Sequence, residues 1–164
     1  GETRALFEAA LYQCEARDLP IRMLFGHAHE AMMASDVVLA ASGTATLEAA
    51  LLKRPMAIVY KMAGFTYRLM RRMGYLPYVG LPNILAGKFI VPEFIQDDAT
   101  PENLAQALIN LYADKKTCAA IRDVFHDMHL QLRQNTAEKA AAAVVECLGE
   151  RAHPLLNANA LAAI

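Results

Sequence analysis

The stretch from residue 40 to residue 51 has the sequence Ala40-Ala41-Ser42-Gly43-Thr44-Ala45-Thr46-Leu47-Glu48-Ala49-Ala50-Leu51. It overlaps the apolar run Asp36-Val37-Val38-Leu39-Ala40, which is typical of a strand that is buried on both faces. From Thr44 onward the residues favour a helix, and the small residues before it predict a tight turn. This stretch therefore predicts a strand–turn–helix unit of an α/β fold.

The turn at Ser42-Gly43 is a candidate anion-binding site. Free N–H groups at a helix start carry partial positive charge and favour an exposed phosphate by roughly 0.3–1 kcal/mol. Gly43 allows close approach of the backbone. Glu48 lies one turn beyond Thr44 on the same helix face, where its carboxylate could accept hydrogen bonds from two ribose hydroxyls. The alternative is that Ser42 or Thr44 only caps the helix and Glu48 is solvated.

Apolar residues recur along the chain in the pattern of alternating helices and strands. The predicted elements up to residue 60 are helices over residues 3–17, 29–34 and 44–53 and strands over residues 21–25, 36–40 and 55–60. This alternation, with short connections, predicts an α/β fold with a Rossmann-like parallel sheet and flanking helices. The ligand site of such a sheet lies beyond the carboxyl ends of its strands.

Length and composition indicate one globular domain. The 164 residues are 55% hydrophobic with a mean hydropathy of +0.20, which is sufficient for a core. Residues 1–149 form this domain and end in helices that begin at Thr100-Pro101, at about residue 116 and at residue 136, the last two ending near residues 133 and 148. Residues 150–164 lack periodicity and predict a loosely ordered tail.

Charge and hydropathy limit the partners of the chain. A net charge of −1 gives no reason to expect a nucleic-acid partner. The sequence has no run of eighteen apolar residues, and no signal peptide precedes the first helix. We therefore expect a protein that is soluble or lies on a membrane surface.

The sequence predicts neither a disulfide framework nor a metal site. Its three cysteines are widely separated along the chain: Cys14, Cys118 and Cys147. We expect them to be reduced thiols that are mostly buried. His27 and His29 would point to one side only in an extended segment, and they have no evident third ligand. His126 and His129 lie three residues apart on a charged amphipathic helix, where solvated positions are favoured over a shared metal.

A basic and aromatic segment follows the strand predicted at residues 55–60. The residues that could face a membrane there are Phe65, Tyr67, Arg68, Met70, Arg71 and Arg72. Apolar side chains would enter the lipid surface while each arginine gains about 1 kcal/mol from anionic headgroups. The alternative is an ordinary amphipathic helix that packs on the sheet.

Asn83 is a polar residue in the otherwise apolar run Leu81-Pro82-Asn83-Ile84-Leu85. Its side chain carries both donors and acceptors, and a buried amide needs partners. Those partners could be a ligand phosphate or sugar, or simply the backbone. The sequence alone favours the backbone.

Six motifs together resemble one enzyme family. They are Met32-Met33-Ala34-Ser35-Asp36, Ala41-Ser42-Gly43-Thr44-Ala45-Thr46-Leu47-Glu48, Lys53-Arg54-Pro55-Met56, Tyr60-Lys61-Met62, Phe65-Thr66 and Tyr78-Val79-Gly80-Leu81-Pro82-Asn83-Ile84-Leu85-Ala86-Gly87. The resemblance is to lipid-A-disaccharide synthase and extends to about Leu148. The two longest motifs distinguish this family from other nucleotide-sugar transferases of the same fold.

The resemblance implies the incomplete carboxy-terminal half of an inverting GT-B glycosyltransferase that uses no metal or other cofactor. Such an enzyme transfers 2,3-diacylglucosamine from its UDP donor to 2,3-diacylglucosamine 1-phosphate. The product is the disaccharide core of lipid A in lipopolysaccharide. The reaction takes place at the cytoplasmic face of the inner membrane of a Gram-negative bacterium, where the enzyme is a peripheral protein.

The same resemblance assigns donor-binding roles to several residues of the quoted motifs. Ser42, Gly43 and Thr44 would hold the UDP diphosphate, and Glu48 the ribose hydroxyls. Asn83 would bind the diphosphate or the sugar of the donor.

Other residues receive supporting roles. Phe65 would shape the donor pocket, and Gly26, at the end of the strand predicted at residues 21–25, would lie near the uracil. Lys61 and Arg68 would help to offset the charge that develops on the leaving UDP. The basic segment is then more readily explained as membrane-docking, because both substrates are acylated.

On this resemblance the chain begins inside the second domain of the enzyme. It then lacks the acceptor domain with its general base, so no catalytic residue is assigned here and the chain alone is expected to be inactive. It also lacks the first two donor-domain strands and a Gly-Ser-Arg turn. We expect either direct pairing of the strand at residues 21–25 with the others, or a dimer through open strand edges or exchanged carboxy-terminal helices.

Two other classes of function are open. The first is another UDP-sugar enzyme of this fold, such as a peptidoglycan-precursor transferase or an epimerase. The run from Leu81 to Gly87 argues against it. The second is a non-catalytic α/β binding module, and measured affinity for UDP would separate these possibilities.

Overall fold

The computed structural model describes residues 2–41, 43–64, 66–67 and 77–148 of the chain. The tail that the sequence predicts over residues 150–164 lies outside the described residues. Within the described part, no helix is both long enough and apolar enough to cross a membrane.

In the part of the chain that the structure describes, α-helices alternate with three short strands. In order, they are α1 (Glu2–Gln13), α2 (Ala28–Ala34), β1 (Val38–Ala41), α3 (Thr44–Leu51), β2 (Met56–Tyr60), α4 (Leu81–Ala86), β3 (Glu93–Ile95), a 3-10 turn (Gln96–Asp98), α5 (Pro101–Ala113), α6 (Lys115–Leu132) and α7 (Thr136–Leu148). The bounds predicted for α7 are confirmed, and those of α2, β1, α3, β2 and α6 differ by one to two residues at an end.

The three strands form one parallel sheet in the order β1-β2-β3. Val59 of β2 pairs with Ala41, the last residue of β1, and Tyr60 pairs with Ile95, the last residue of β3. All three strands therefore end at the same edge, which we call the carboxyl edge. The predicted α/β fold with a parallel sheet and flanking helices is confirmed.

The core lies between the sheet and the helices that cover it. α3 packs on β1, β2, α4 and α6, while α5 packs on β2 and α6. Phe125 of α6 is 0% exposed at the centre of this layer. The buried cluster consists of Met32, Ala49, Ala50, Met56, Ala57, Ile58, Val91, Leu111, Ile121, Phe125 and Met128.

Local capping explains where α5 and α6 begin. The Thr100 hydroxyl accepts a hydrogen bond from the Asn103 N–H at 3.2 Å, and Pro101 occupies the first helical position, as the sequence predicts. The Asp114 carboxylate accepts from the N–H groups of Lys116 and Thr117. These hydrogen bonds lower the pKa of Asp114 below its ordinary value; the bond from the Thr117 N–H has the largest effect and the bond from the Thr117 hydroxyl the next largest.

The prediction of a strand at residues 21–25 is wrong. These residues are irregular, and the apolar side chains of Ile21, Leu24 and Phe25 are 45%, 51% and 62% exposed. A strand needs ladder bonds from a neighbour, and the only neighbour of β1 among the described residues is β2. Apolar composition alone therefore does not make these residues extend the sheet.

The first helix is shorter than predicted and projects from the core. It ends at Gln13 rather than residue 17, because Glu15 adopts a left-handed conformation with φ of 53°. Its apolar residues Leu6 and Tyr12 are 67% and 64% exposed. The amphipathic pattern therefore predicts the helix but not a core contact for it.

The prediction of mostly buried thiols is wrong for two of the three cysteines. Cys118 is buried, and its Sγ donates to the carbonyl oxygen of Leu111 at 2.8 Å. Cys14, just after α1, and Cys147, in α7, are exposed. All three cysteines are free thiols. Burial here follows the packing of each helix rather than the residue type.

Candidate functional site

The turn from β1 into α3 lies at the carboxyl edge of the sheet. Gly43 precedes α3 with φ of 122° and ψ of −159°, a conformation that a residue with a Cβ rarely adopts. Its carbonyl accepts bonds from the N–H of Thr46 at 3.2 Å and from the Thr46 hydroxyl at 2.7 Å. Thr46 is 0% exposed and so fixes the turn from beneath.

The outer side of this turn is open to solvent. Gly43 and Thr44 are exposed, and Gly43, as the residue that precedes the helix, offers no side-chain cap to its first N–H groups. Ser42 lies outside the described residues. The turn thus presents the start of a helix at the carboxyl edge, where it could accept an anion.

Glu48 and Lys61 are exposed residues of opposite charge, one in α3 and the other just after β2. Glu48 is exposed on α3, and its carboxylate makes no hydrogen bond or ion pair with another described residue. Lys61 is exposed and follows Tyr60, the last residue of β2. Because β2 is the neighbour of β1, Lys61 begins at the same edge as Gly43.

Two other predicted site residues are placed differently. Gly26 lies in an exposed bend before α2 and does not end a strand, so the strand on which its assignment rested is absent. Phe65 and Arg68 lie outside the described residues, as do Met70, Arg71 and Arg72. Of the predicted membrane-facing residues the structure describes Tyr67, which is half-buried and whose N–H donates to the Ala63 carbonyl at 3.1 Å.

The side chain of Asn83 is committed to the interior of the protein. It is 0% exposed; its Oδ1 accepts from the N–H groups of Ile90 at 2.8 Å and Val91 at 3.1 Å. Its Nδ2 donates to the Val91 carbonyl and to Oε1 of Glu93, both at 2.8 Å. Two donors and two acceptor positions are then all in use. Three of these four partners are backbone groups and the fourth is the Glu93 carboxylate, so the amide is fully hydrogen-bonded within the protein.

Glu93, at the start of β3, is a residue that the sequence reasoning missed. Its Oε2 accepts from the Val79 N–H at 2.8 Å, and its Oε1 accepts from the Gly80 N–H at 2.9 Å as well as from Asn83. A carboxylate so bonded ties the start of α4 to the sheet. No local signal marks this role, because the partners lie 10 to 14 residues earlier in the chain.

Gly80 allows α4 to approach the sheet this closely. A Cβ at this position would lie 2.3 Å from Cδ1 of Ile58 and 3.0 Å from Oε1 of Glu93. Ile58 is 1% exposed in the centre of β2 and has little room to move. Glycine is therefore required here by contact rather than by its backbone conformation.

A second polar contact fixes the far end of α3. Lys53 Nζ lies 2.6 Å from the Leu51 carbonyl oxygen and 2.5 Å from Nδ1 of His129 in α6. Because an ammonium group only donates, Nδ1 of His129 is the acceptor. The prediction of a solvated histidine is therefore wrong for half-buried His129, while His126 is exposed as expected.

Other features of the surface lie apart from the carboxyl edge. A cavity of about 640 Å³ opens beside Pro92, before the start of β3, and is lined by α5 and the start of α6. Among the residues that the structure describes, no cluster of three or more His, Cys, Asp or Glu side chains is arranged to hold a metal ion.

Comparison with known proteins identifies the family. A family model described as lipid-A-disaccharide synthetase matches residues 2–148. The chain belongs to this family. It is similar to the lipid-A-disaccharide synthase of Dechloromonas aromatica (strain RCB), with 66% identity over 147 residues, 90% of this chain. It is also similar to the proteins of that name from Methylobacillus flagellatus, with 58% identity over 88% of this chain, and Azoarcus sp. (strain BH72), with 60% identity over 92%.

The match covers only part of each relative. The chain spans 38% of the length of the Dechloromonas and Methylobacillus proteins and 39% of the Azoarcus protein. Family membership thus agrees with the resemblance of the sequence motifs. The partial coverage agrees with the expectation that the motifs belong to one part of a longer protein.

Replacing Glu93 with Gln tests the link between β3 and α4. The new side-chain NH2 group must face donors that the carboxylate now accepts from. These are either the N–H of Val79, or the N–H of Gly80 together with the side-chain amide of Asn83. We expect a loss of about 2 kcal/mol in the free energy of unfolding, since hydrogen bonds to charged groups contribute roughly 1.5–3 kcal/mol. Urea denaturation measures this value.

The matched control is Glu146→Gln on the exposed surface of α7, which should change the stability by less than about 0.5 kcal/mol. Equal effects of the two substitutions would contradict the role given to Glu93.

Proposed function

We propose that this chain is the donor-binding part of a lipid-A-disaccharide synthase. The full enzyme would transfer 2,3-diacylglucosamine from UDP-diacylglucosamine to 2,3-diacylglucosamine 1-phosphate, with release of UDP and formation of lipid A disaccharide 1-phosphate. Family membership and the names of the relatives support the reaction class. The general base for the acceptor hydroxyl would be a carboxylate of the acceptor domain, outside this chain.

One observation carries the assignment of the donor site. The open Gly43 turn before α3 lies at the carboxyl edge of a parallel sheet, and one turn farther along is the Glu48 carboxylate, which has no partner among the described residues. This edge is where α/β folds bind nucleotides. We assign the diphosphate to Ser42, Gly43 and Thr44, and the ribose hydroxyls to Glu48.

The chemistry of transfer follows from the charges at this edge. As the bond between the sugar and UDP breaks, negative charge grows on the leaving diphosphate. Helix N–H groups at Gly43 and Thr44 and the ammonium of Lys61 would offset that charge, and they gain strength in a site that excludes water. An acceptor oxygen attacking from the opposite face of the sugar would invert the configuration at the anomeric carbon.

Calorimetric titration with UDP tests the site. We expect wild-type chain to bind UDP and Glu48→Ala to bind it about 10- to 100-fold more weakly, because hydrogen bonds to a charged group contribute roughly 1.5–3 kcal/mol. We expect 2′-deoxy-UDP to bind the wild type about tenfold more weakly than UDP, since one hydrogen bond to an exposed carboxylate is lost, at the low end of this range of roughly 1.5–3 kcal/mol.

The ribose assignment predicts in addition that Glu48→Ala binds UDP and 2′-deoxy-UDP almost equally. Glu146→Ala in α7 is the matched control and should bind UDP as the wild type does. Full discrimination between the two nucleotides by Glu48→Ala would show that another group reads the ribose.

We further propose that the enzyme works at the cytoplasmic face of the inner membrane as a peripheral protein. The segment with Phe65, Tyr67, Arg68, Met70, Arg71 and Arg72 is the proposed lipid-facing surface. Its aromatic and basic composition and the acylated nature of the proposed substrates support this role.

Sedimentation with lipid vesicles tests the membrane proposal. Replacement of Arg68, Arg71 and Arg72 by Ser should weaken binding to phosphatidylglycerol vesicles by about 100-fold at low salt, from roughly 1 kcal/mol per arginine. Neutral phosphatidylcholine vesicles should show little difference between the two proteins. The control replaces Lys115, Lys116 and Arg122 in α6 by Ser, which removes the same charge. An equal loss of vesicle binding in this control would show that only the net charge matters, not the proposed lipid-facing segment.

We also propose that two copies of this chain associate. In the described residues β1 pairs with β2 alone and its Leu39 is 45% exposed, which leaves a strand edge open. Val144 and Val145 of α7 are 56% and 43% exposed, which suits exchange of the carboxy-terminal helices.

Light scattering tests this association. We expect the mass of a dimer, and we expect Leu39→Lys to give a monomer if β1 edges pair, or Val145→Lys to do so if helices exchange. A wild-type monomer at all concentrations would contradict both modes.

A further inference from the structure

The side chain of Gln96 pairs with the backbone of Met62. Gln96 opens the 3-10 turn that follows β3, and Met62 lies two residues beyond the end of β2. Oε1 of Gln96 accepts from the Met62 N–H at 2.6 Å, and Nε2 donates to the Met62 carbonyl at 3.0 Å. One amide thus satisfies both polar groups of a residue that lies beyond the last ladder pair, Tyr60 with Ile95.

The backbone conformation at residue 96 does not favour glutamine. Its φ is 54°, in the left-handed region that is unfavourable for residues with a Cβ. Glycine or asparagine adopts this conformation more readily. The turn geometry therefore does not explain a glutamine at this position, whereas the two hydrogen bonds of its side chain do.

The contact with Met62 also restricts Lys61. Tyr60 is held in the ladder and Met62 is held by Gln96, so the residue between them is fixed at both of its peptide bonds. The Lys61 side chain itself is exposed. Its Cα is thereby held at the carboxyl edge, beside the strand that leads into the Gly43 turn.

We propose that Gln96 is a positioning residue for a nucleoside diphosphate. It acts through Met62 and Lys61: the amide clamps the backbone, and the clamped backbone keeps the Lys61 ammonium at the edge where the diphosphate binds. This inference rests on the proposed donor site. It adds to that site a residue that touches no ligand and lies in the turn after β3, the opposite edge strand of the sheet.

A double-mutant cycle on UDP affinity distinguishes positioning from a general structural role. The four proteins are wild type, Gln96→Met, Lys61→Ala and the double variant, each titrated with UDP by calorimetry. Met matches the length of Gln but can neither donate nor accept as the amide does. A residue that acts through Lys61 has no effect on UDP once that lysine is gone.

We expect Gln96→Met and Lys61→Ala each to weaken UDP binding about tenfold, since loss of positioning at a charged contact commonly has an effect of this size or larger. The double variant should be no weaker than Lys61→Ala alone. Hydrogen exchange at the Met62 amide should rise at least about tenfold in Gln96→Met, because that N–H loses its acceptor. Gln106→Met, an exposed substitution in α5, is the control and should alter neither measurement.

A second variant covers the case in which Gln96→Met does not fold. Gln96→Gly removes the amide but also relieves the left-handed backbone, so the thermal midpoint should fall less than in Gln96→Met. Its UDP affinity should still fall about tenfold.

Three results would overturn the proposal. In the first, the Met62 amide is released while UDP affinity is unchanged. In the second, Gln96→Met weakens UDP binding equally with and without Lys61. In the third, the folded wild-type chain binds no UDP, in which case the proposed donor site fails first. The first two results, obtained while Glu48→Ala weakens UDP binding as expected, would remove only the role of Gln96.

Discussion

The burial of one amide determines how the second half of the sheet is assembled. Asn83 is 0% exposed, and transfer of an unpaired amide out of water costs about 2–7 kcal/mol, depending on the reference state. The position of α4 therefore depends on four partners at once: the N–H groups of Ile90 and Val91, the Val91 carbonyl and the Glu93 carboxylate. These bonds hold β3 and the residues before it against α4, and the absence of a Cβ at Gly80 leaves room there for Ile58 of β2.

β3 has only three residues, yet side chains from it and from the residue after it hold two distant segments of backbone. Glu93 holds the N–H groups of Val79 and Gly80, and Gln96 holds Met62. The backbone at Met62 and at Val79 is thus held by side chains from the same short strand and the residue after it. A polar side chain is suited to this work because its hydrogen bonds specify one geometry, whereas apolar contacts tolerate sliding.

Packing is distributed unevenly over the described residues. β1, β2, α3, α5 and α6 enclose the core around Phe125, and the proposed donor site lies at the edge of this packed region. α1, the irregular residues before α2, and α7 keep large apolar side chains exposed, among them Leu6, Phe25 and Val144. Proposed site residues on the packed elements, such as Gly43 and Glu48, are therefore placed by the packing of those elements, and the bend at Gly26 is not.

The sequence by itself determined the elements whose signals are local. The apolar run before Gly43, the Thr100-Pro101 helix start and the span of α7 were predicted correctly, because caps, turns and periodicity act within a few residues. Motifs also identified the family. Only the tertiary structure decided that residues 21–25 form no strand, that β3 exists, which groups Asn83 bonds, and that Glu93 and Gln96 hold distant backbone. Strand pairing and burial depend on partners 7 to 34 residues away, and no local pattern reports whether such a partner is in place.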